Sequence, residues 1–233
     1  MTAVAALIPA LNEEEPLPRV LDELRAAGID QVVVVDNGST DATAQVAREG
    51  GARVIEERQR GYGAACLAGM AHIATWSESP SVLLFLDGDG SDDPRESPRL
   101  LDPILADEAD FVVGVREKRH GRSGSGASVP LHARLGDGLI RLGARWLHGV
   151  ELGDLGPFRA IRWSSLQALE MDDQDWGWTL QMQLRAHRAG LRYREVSVSH
   201  RRRTGGRSKV SGTLLGSLRA GVKMVRVLLR RAS

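Results

Sequence analysis

The sequence predicts an α/β protein with a mostly parallel sheet flanked by helices on both faces. Short apolar runs rich in β-branched residues alternate with segments in which apolar residues recur every three or four positions. Fully apolar strands are typical of parallel sheets that helices cover on both sides. The length of 233 residues, of which 42% are hydrophobic, is enough to bury one large core.

Each element has local evidence in the sequence. The β-branched runs predict strands, in chain order, at residues 4–8, 32–35, 52–55, 82–86, 111–115 and 193–198. Helical spacing of apolar residues predicts helices at 17–24, 62–76, 95–106, 132–147, 163–169 and 179–189. Capping residues 39–41 predict one further helix, which extends to residue 48. Residues 116–130 are polar and rich in Gly and Ser, which predicts a linker or a loop that orders on a ligand.

Charge is distributed unevenly along the chain. The net charge is +1, but residues 192–233 contain 12 of the 31 Lys and Arg residues and one of the 30 acidic residues, Glu195. This segment predicts contact with an anionic partner. From residue 214 onward an apolar helical face adjoins a basic one, so we expect a helix that contacts a membrane surface or docks on the domain's own core. Only Tyr193 adds an aromatic ring to the segment, and we therefore predict no nucleic acid partner.

The chain is expected to form one main domain, residues 1–211, followed by a basic amphipathic helix at 212–233. The single cysteine, Cys66, excludes an internal disulfide and fits a reducing compartment. No segment reaches the roughly 18 consecutive apolar residues that a membrane span requires. We expect a cytoplasmic protein that contacts the inner face of the plasma membrane at most peripherally.

Acidic side chains follow three of the predicted strands. Asp87 and Asp89 come directly after the fourth strand, Asp36 follows the second, and Glu13 lies just beyond the first. The carboxyl ends of parallel strands meet at one edge of the sheet, where ligands bind in such folds. Two carboxylates separated by one residue suit Mg²⁺ or Mn²⁺, which complete their shell with water and substrate phosphates. The sequence therefore predicts a divalent cation site at this edge.

Two competing interpretations fail on position. A calcium loop that began at Asp87 would need glycine at its sixth position and glutamate at its twelfth, where the sequence has Asp92 and Pro98. A dinucleotide-binding fingerprint that began at Gly61 would need a third glycine where the sequence has Cys66.

Some of the carboxylates also have purely structural interpretations. Asp92 and Asp93 are predicted to cap the helix that begins near Pro94, where the helix dipole favours negative charge. Asp36 can equally hold a turn without any ligand.

Five segments occur in a characteristic order and spacing. They are PALNEEE at 9–15, VVDNGSTDAT at 34–43, RGYGAACLAG at 60–69, FLDGDGSDDP at 85–94 and VVGVR at 112–116. In this order the chain resembles inverting family-2 glycosyltransferases of the GT-A fold, a Rossmann-like α/β fold, and most closely the branch of polyprenyl (dolichyl) phosphate sugar synthases. DLGPFRAIR at 154–162 and HRRRTGGRSKVSG at 200–212 extend the resemblance over nearly the whole chain.

The resemblance implies a role for each matching residue. The implied nucleotide-sugar site comprises Pro9, Leu11, Glu13, Asp36, Gly61, Gly63 and Asp87, with the two glycines letting the backbone approach the nucleotide. Asp87 and Asp89 match the family's DXD motif and would hold the metal bound to the diphosphate. The implied acceptor-phosphate site comprises Arg116, Arg203, Arg207 and Lys209.

Three positions depart from the family pattern. Leu11 replaces a residue that is commonly aromatic, and Asn37 stands where many relatives have a second aspartate. Ser91 replaces a glutamine that assists the metal in some dolichyl-phosphate mannose synthases. The identity of the donor sugar is therefore open.

The predicted function is metal-dependent transfer of a sugar from a UDP- or GDP-sugar to polyprenyl phosphate. A phosphate acceptor is already ionised at neutral pH, so positioning by arginines suffices. A hydroxyl acceptor needs a carboxylate base, for which Asp154 and Asp175 are the candidates beside Asp89 and Arg116 in the catalytic set.

Three alternatives remain at this point. The first is a small soluble acceptor. A sugar nucleotidyltransferase is disfavoured because it needs a Gly-rich basic loop after the first strand, and PALNEEE is acidic and free of glycine. A non-catalytic binding module is disfavoured because both aspartates of the metal pair are present.

Overall fold

The computed structural model describes residues 3–116, 131–201, 203 and 214–229, without the side chains of 131–135, 137 and 214–220. Within these residues the chain forms one seven-stranded sheet with helices on both faces. The strands are β1 (Val4–Ala10), β2 (Gln31–Asp36), β3 (Arg53–Glu56), β4 (Val82–Phe85), β5 (Phe111–Arg116), β6 (Arg159–Arg162) and β7 (Tyr193–Val198). The helices are α1 (Leu17–Ala26), α2 (Thr43–Glu49), α3 (Tyr62–Ile73), α4 (Ser97–Leu105), α5 (Leu131–His148), α6 (Trp163–Ala168), α7 (Trp178–Arg188) and α8 (Leu214–Leu229).

The strand order is β3-β2-β1-β4-β6-β5-β7. β1 pairs in parallel with both β2 and β4, and β2 pairs in parallel with β3, so four carboxyl ends share one edge. β6 runs antiparallel between β4 and β5, and β7 is parallel to β5. The predicted α/β class with a mostly parallel sheet is confirmed.

β6 is the strand that the sequence did not predict. It has only four residues, and its ends are Arg159 and Arg162 rather than apolar side chains. Arg159 is nevertheless fully buried, because its Nη1 donates a hydrogen bond to the carbonyl oxygen of Thr179 at 2.9 Å. A buried arginine at a strand end removes the apolar run on which strand prediction depends.

Most predicted helix boundaries lie within two residues of the observed ones, and two helices differ more clearly. The helix predicted to reach residue 76 ends at Ile73, and the helix predicted from residue 95 begins with a 3₁₀ turn, Pro94–Glu96, before α4. The predicted loop at 116–130 lies, apart from Arg116 at the end of β5, outside the described residues.

The core has three parts. One cluster lies between the sheet and helices α1 and α4, and a second lies on the opposite face beneath α3, α6 and α7. The third is smaller and joins α5, α7 and α8 through residues that include Ile140, Leu180, Val227 and Leu228. The C-terminal helix therefore packs against the chain itself, while the division at residues 211 and 212 stays a prediction. No helix in the described part of the chain is long and apolar enough to cross a bilayer.

Candidate active site

Acidic groups from distant segments meet at the carboxyl edge of the sheet. The register pairs Ala10 of β1 with Asp36 of β2, so the segments that follow both strands leave the sheet at the same level. Glu13 and Asp89, which follow β1 and β4, are both buried there. Arg203 joins them, because its Nε donates to Asp89 Oδ2 at 2.8 Å and its Nη1 lies 3.9 Å from Glu13 Oε1.

The loop after β4 fixes the orientation of Asp89. Gly90 turns the chain with a φ of 72°, a conformation that glycine adopts without strain. The backbone N–H of Ser91 then donates to Asp89 Oδ1 at 2.8 Å. One carboxylate oxygen is thus held by the loop and the other by Arg203.

Asp92 and Asp93 have different roles, and the prediction that both cap a helix is wrong for Asp92. Asp93 does cap the 3₁₀ turn, since its Oδ1 accepts from the backbone N–H of Arg95 at 3.1 Å. Asp92 is 2% exposed and lies beneath the loop, where its Oδ2 is 3.4 Å from the N–H of Asp87 and its backbone bridges to His200. Burial and the neighbouring Asp89 raise the pKa of Asp92 to about 7.

The two residues of the predicted metal pair differ electrostatically. Burial and the charges of Asp89 and Asp92 raise the pKa of Asp87 well above its ordinary value. Burial acts in the same direction on Asp89, but Arg203 and the hydrogen bonds from Ser91 outweigh it and lower the pKa of Asp89. Arg203 therefore offsets only part of the repulsion among these carboxylates, and its effect is concentrated on Asp89.

The chemistry of this edge fits a divalent cation that is only partly ligated by protein. Among the described residues, no group of three or more His, Cys, Asp or Glu side chains is arranged to enclose a metal. Mg²⁺ commonly binds through one or two carboxylates and takes its remaining ligands from water and phosphate. Asp87 and Asp89 can supply those carboxylates, and the raised pKa of Asp87 indicates a site that gains from added positive charge.

Asp36 and Asn37 hold the segments around this edge together. Asp36 Oδ1 accepts from the N–H of Ser39 at 2.9 Å, which is the turn role considered from the sequence. Asn37 is 6% exposed, and its Nδ2 donates to the carbonyl oxygens of Glu57 and Gln59 at 3.0 and 2.7 Å. Its Oδ1 accepts from the N–H of Gly61 at 2.9 Å. Asn37 thus fixes the whole turn between β3 and α3.

Gly61 and Gly63 permit a close approach between two backbones. A Cβ at Gly61 would overlap the carbonyl oxygen of Gln174, and one at Gly63 would overlap that of Asp173. Ala64 N–H donates to the Gln174 oxygen at 2.9 Å, which closes the contact. The glycines therefore admit the 173–174 loop to the start of α3, and their predicted approach to a nucleotide remains a prediction.

Arg116 and Asp154 form a fixed pair. Arg116 donates to the Asp154 carboxylate through Nε at 2.8 Å, Nη2 at 2.6 Å and the backbone N–H at 3.1 Å. Gly156 N–H adds a fourth hydrogen bond at 2.8 Å. Burial opposes ionisation, yet these bonds and the charge of Arg116 lower the pKa of Asp154. A carboxylate held in this way orients an arginine and is a poor general base.

Asp175 is paired with the C-terminal helix. Its Oδ2 forms an ion pair with Lys223 Nζ of α8, and its Oδ1 accepts from the N–H of Trp176 at 3.0 Å. Trp176 stacks on Tyr62 with ring centroids 6.0 Å apart, whereas Trp178 is fully buried in the core. The sequence did not predict the partner of Asp175, because Lys223 is 48 residues further along the chain.

The remaining residues named from the sequence lie either near this edge or outside the described residues. Pro9 and Leu11 lie half-buried at the end of β1, next to Glu13. Ser91 is buried in the loop that carries the metal pair. Arg207 and Lys209 lie outside the described residues.

The family is decided by comparison with known proteins. A model of "Glycosyl transferase family 2" matches residues 5–169, which is well over half of the chain. The chain belongs to glycosyl transferase family 2. The prediction of a family-2 glycosyltransferase is therefore confirmed, and a nucleotidyltransferase is a correspondingly poor description.

Several curated relatives of this glycosyltransferase cover most of both chains. An uncharacterized glycosyltransferase of Mycobacterium bovis is 39% identical over 216 residues, which cover 93% of each chain. The undecaprenyl-phosphate mannosyltransferase of Micrococcus luteus is 31% identical over 91% of this chain and 89% of its own. The polyprenol monophosphomannose synthase of Mycolicibacterium smegmatis is 30% identical over 89% and 80%.

Solved structures confirm the fold. Glucosyl-3-phosphoglycerate synthase of Mycobacterium tuberculosis, crystallised with Mn²⁺, UDP-glucose and phosphoglyceric acid, superposes with a TM-score of 0.76. The alignment covers 98% of this chain and 79% of the synthase, at 22% identity. At that identity the likeness establishes the GT-A architecture.

Proposed function

We propose that this glycosyltransferase is an inverting, metal-dependent enzyme that moves a hexose from a nucleoside diphosphate sugar to polyprenyl phosphate. The observation that carries the proposal is the contact of Asp89 with Arg203 at the carboxyl edge of the sheet, where a carboxylate for a cation and a cation for a phosphate share a hydrogen bond of 2.8 Å. Asp87, the second carboxylate of the pair, precedes Asp89 by two residues in the same loop. Both substrates are phosphates, and this edge presents the charges for both.

In the proposed donor site, Asp87 and Asp89 would hold Mg²⁺ or Mn²⁺. The cation would act as a Lewis acid that stabilises the negative charge on the leaving diphosphate. Asp36 and Asn37 hold the end of β2 and the 57–61 turn in place, and this fixed segment would line the pocket for the base and ribose. The Mn²⁺ and UDP-glucose bound by the glucosyl-3-phosphoglycerate synthase support this assignment, since its fold is the same.

The acceptor is inferred from whether the candidate carboxylates are available to act as a general base. Transfer to a hydroxyl needs a carboxylate that can take up its proton near neutral pH. Asp154 is ionised and fully engaged by Arg116, and Asp175 is ion-paired with Lys223. A phosphate acceptor needs no such base, because its own oxygen is the ionised nucleophile. Arg116, held in one orientation by Asp154, and Arg203 would position that phosphate.

The relatives favour the same acceptor. Two proteins that align over most of the chain are named for undecaprenyl phosphate and polyprenol phosphate, and each is described as forming a mannosyl product. A small phosphorylated acceptor such as phosphoglycerate is the second candidate, which the structural likeness to the synthase suggests. It would use the same arginines.

The test is a donor and acceptor screen. The purified full chain is supplied with Mg²⁺ or Mn²⁺ and a panel of radiolabelled UDP- and GDP-sugars, with polyprenyl phosphate or phosphoglycerate as acceptor. We expect label from one donor to enter the organic phase with polyprenyl phosphate. Label confined to an aqueous product would contradict the lipid acceptor and would leave the donor site intact.

A further inference from the structure

Arg159, at the start of β6, is a fully buried cation that forms no ion pair with a carboxylate of the described residues. Its guanidinium donates to the carbonyl oxygens of Thr179 and Gly156, and its central carbon lies 6.0 Å from the centre of the Phe111 ring. Its Nε is buried and has no hydrogen-bond partner within the described chain. Burial lowers the pKa of Arg159. Such a charge is costly to keep, which points to a role beyond packing.

One of the two carbonyls belongs to the turn at residues 154–156 that holds Arg116. The carbonyl oxygen of Gly156 accepts from Arg159, while the N–H of Gly156 donates to Asp154 Oδ1 at 2.8 Å. The Asp154 carboxylate accepts from Arg116 in turn. A Cβ placed at Gly156 would lie 3.5 Å from Arg116 Nε, so the turn is also in direct contact with that guanidinium. The backbone of Gly156 thus links the buried arginine to Arg116.

A second buried side chain holds the same turn. Gln183 of α7 is 2% exposed, and its Nε2 donates to the backbone carbonyl oxygen of Asp154 at 2.8 Å. Thr179, the other acceptor of Arg159, lies one helical turn before Gln183 in α7. β6 and α7 therefore each hold one carbonyl of the 154–156 turn, and the contact with Thr179 joins the two supports into one network.

The turn lies beside the proposed cation site. Both charges of the Arg116–Asp154 pair act on the pKa of buried Asp92, which Arg116 lowers and Asp154 raises. The same two charges act on His200, as does the charge of Asp89. Arg116 and Asp154 are therefore neighbours of the loop that carries Asp89. A displacement of Arg116 would change its reach to a phosphate bound there.

Packing alone does not account for an arginine at position 159. Arg162, at the other end of the same strand, has a partly exposed side chain that pairs with Asp107 and Asp110. At the buried end, an apolar side chain of similar size would fill the space and avoid the desolvation cost. It could not donate a hydrogen bond to the carbonyl oxygen of Gly156. That bond is what the arginine adds.

We propose that Arg159 is a positioning residue for sugar transfer, which holds Arg116 in place for the acceptor phosphate through the 154–156 turn. Gln183 supports the same turn from α7. The proposal rests on the proposed function, in which Arg116 binds the acceptor phosphate. It adds to the acceptor site two buried residues that act through the backbone.

The first test is kinetic. Arg159→Met removes the donor to Gly156, so the KM for polyprenyl phosphate should rise about tenfold, as expected for one lost hydrogen bond, while the KM for the donor sugar stays unchanged. Gln183→Met removes the donor to the Asp154 carbonyl and should act in the same direction, which keeps the test valid if Arg159→Met does not fold. Arg162→Met, the same change at the opposite end of β6, is the matched control and should leave both KM values as in wild type.

A double variant separates positioning from a general loss of structure. Arg159→Met and Asp154→Asn both release Arg116, so together they should raise the acceptor KM by no more than about twofold beyond Asp154→Asn alone. Effects that multiply would contradict action through the turn. A lower kcat for Arg159→Met with both KM values unchanged would also contradict it, since that is the sign of a smaller folded fraction.

NMR of the arginine side chains tests the proposal without any substrate. The Nε–H of Arg116, bonded to Asp154 at 2.8 Å, should exchange slowly with water in wild type, and its signal is assigned by its loss in Arg116→Lys. Arg159→Met should speed this exchange by about tenfold or more, whereas Arg162→Met should not. Fast exchange in wild type, or equal exchange in wild type and Arg159→Met, would overturn the positioning role. Faster exchange in Arg159→Met, with no transfer to polyprenyl phosphate by wild type, would contradict the proposed function alone.

Discussion

Asn37→Asp tests whether one buried amide holds the edge of the active site. The substitution is isosteric, and it keeps an acceptor for the N–H of Gly61. It replaces the NH₂ group that donates to the carbonyl oxygens of Glu57 and Gln59 with a carboxylate oxygen. Each lost bond that leaves a buried acceptor unmet costs about 1–3 kcal/mol. The turn is partly exposed, so both carbonyls regain some water, and we expect a total of about 2–3 kcal/mol.

The loss should depend on pH in a defined direction. A carboxyl group facing two carbonyl oxygens has a raised pKa in the folded state, and its protonated form can donate to one of them. The deficit in free energy of unfolding should therefore be smaller near pH 4 than at pH 7. Urea unfolding at both pH values measures it, together with the KM for the donor, which should rise because the 57–61 turn loosens.

The matched control is Asn12→Asp. Asn12 is exposed, and its Oδ1 accepts from the N–H of Thr40 at 2.8 Å, a bond that aspartate retains. This variant should remain within about 0.5 kcal/mol of wild type. If Asn37→Asp were equally neutral at pH 7, the structural role assigned to the Asn37 amide would be refuted.

Three further changes address the surrounding architecture. In metal-free protein the free energy of unfolding should fall as pH rises from about 4 to about 7, because burial raises the pKa of both Asp92 and Asp87. Asp92→Asn should make this slope shallower, with Asp87 retaining part of it, and should raise stability at pH 8 by up to about 4 kcal/mol, measured by urea unfolding. Gly63→Ala should lower the free energy of unfolding by about 1–3 kcal/mol, because its Cβ would overlap the carbonyl oxygen of Asp173. Gly138→Ala, at an open position of α5, should raise it by up to about 1 kcal/mol in the same series of thermal melts. Asp154→Asn should release Arg116 and raise the KM for the acceptor about tenfold or more with little change in donor KM; equal effects on both would contradict a positioning role.

The sheet and its carboxyl edge were predictable because they depend on local patterns. Fully apolar runs identify β1, β2, β4 and β5, and carboxylates that follow strands of a parallel sheet must meet at one edge. β6 was missed because arginines stand at both ends of its four residues, and the burial of Arg159 depends on a carbonyl in α7.

The side-chain partners within the site were not predictable from local sequence. Asp92 and Asp93 are adjacent and chemically identical, and only tertiary packing makes one a cap and the other a buried acid. Asn37 resembles any turn residue after a strand until its partners, 20 to 24 positions away, are known. The pairing of Asp175 with Lys223 requires α8 to dock, which composition leaves open.

The metal dependence of transfer through Asp89 is the claim on which the proposed function depends most. The direct measurement is the initial rate of sugar transfer to polyprenyl phosphate by wild type, Asp89→Asn and the control Asp102→Asn, an exposed aspartate of α4, with Mn²⁺ and with chelator. We expect chelator to abolish wild-type transfer and Asp89→Asn to lower kcat by about 100-fold or more, with Asp102→Asn unaffected. Full activity of Asp89→Asn, or a wild-type rate that chelator leaves unchanged, would contradict the assignment of Asp89 to a catalytic cation.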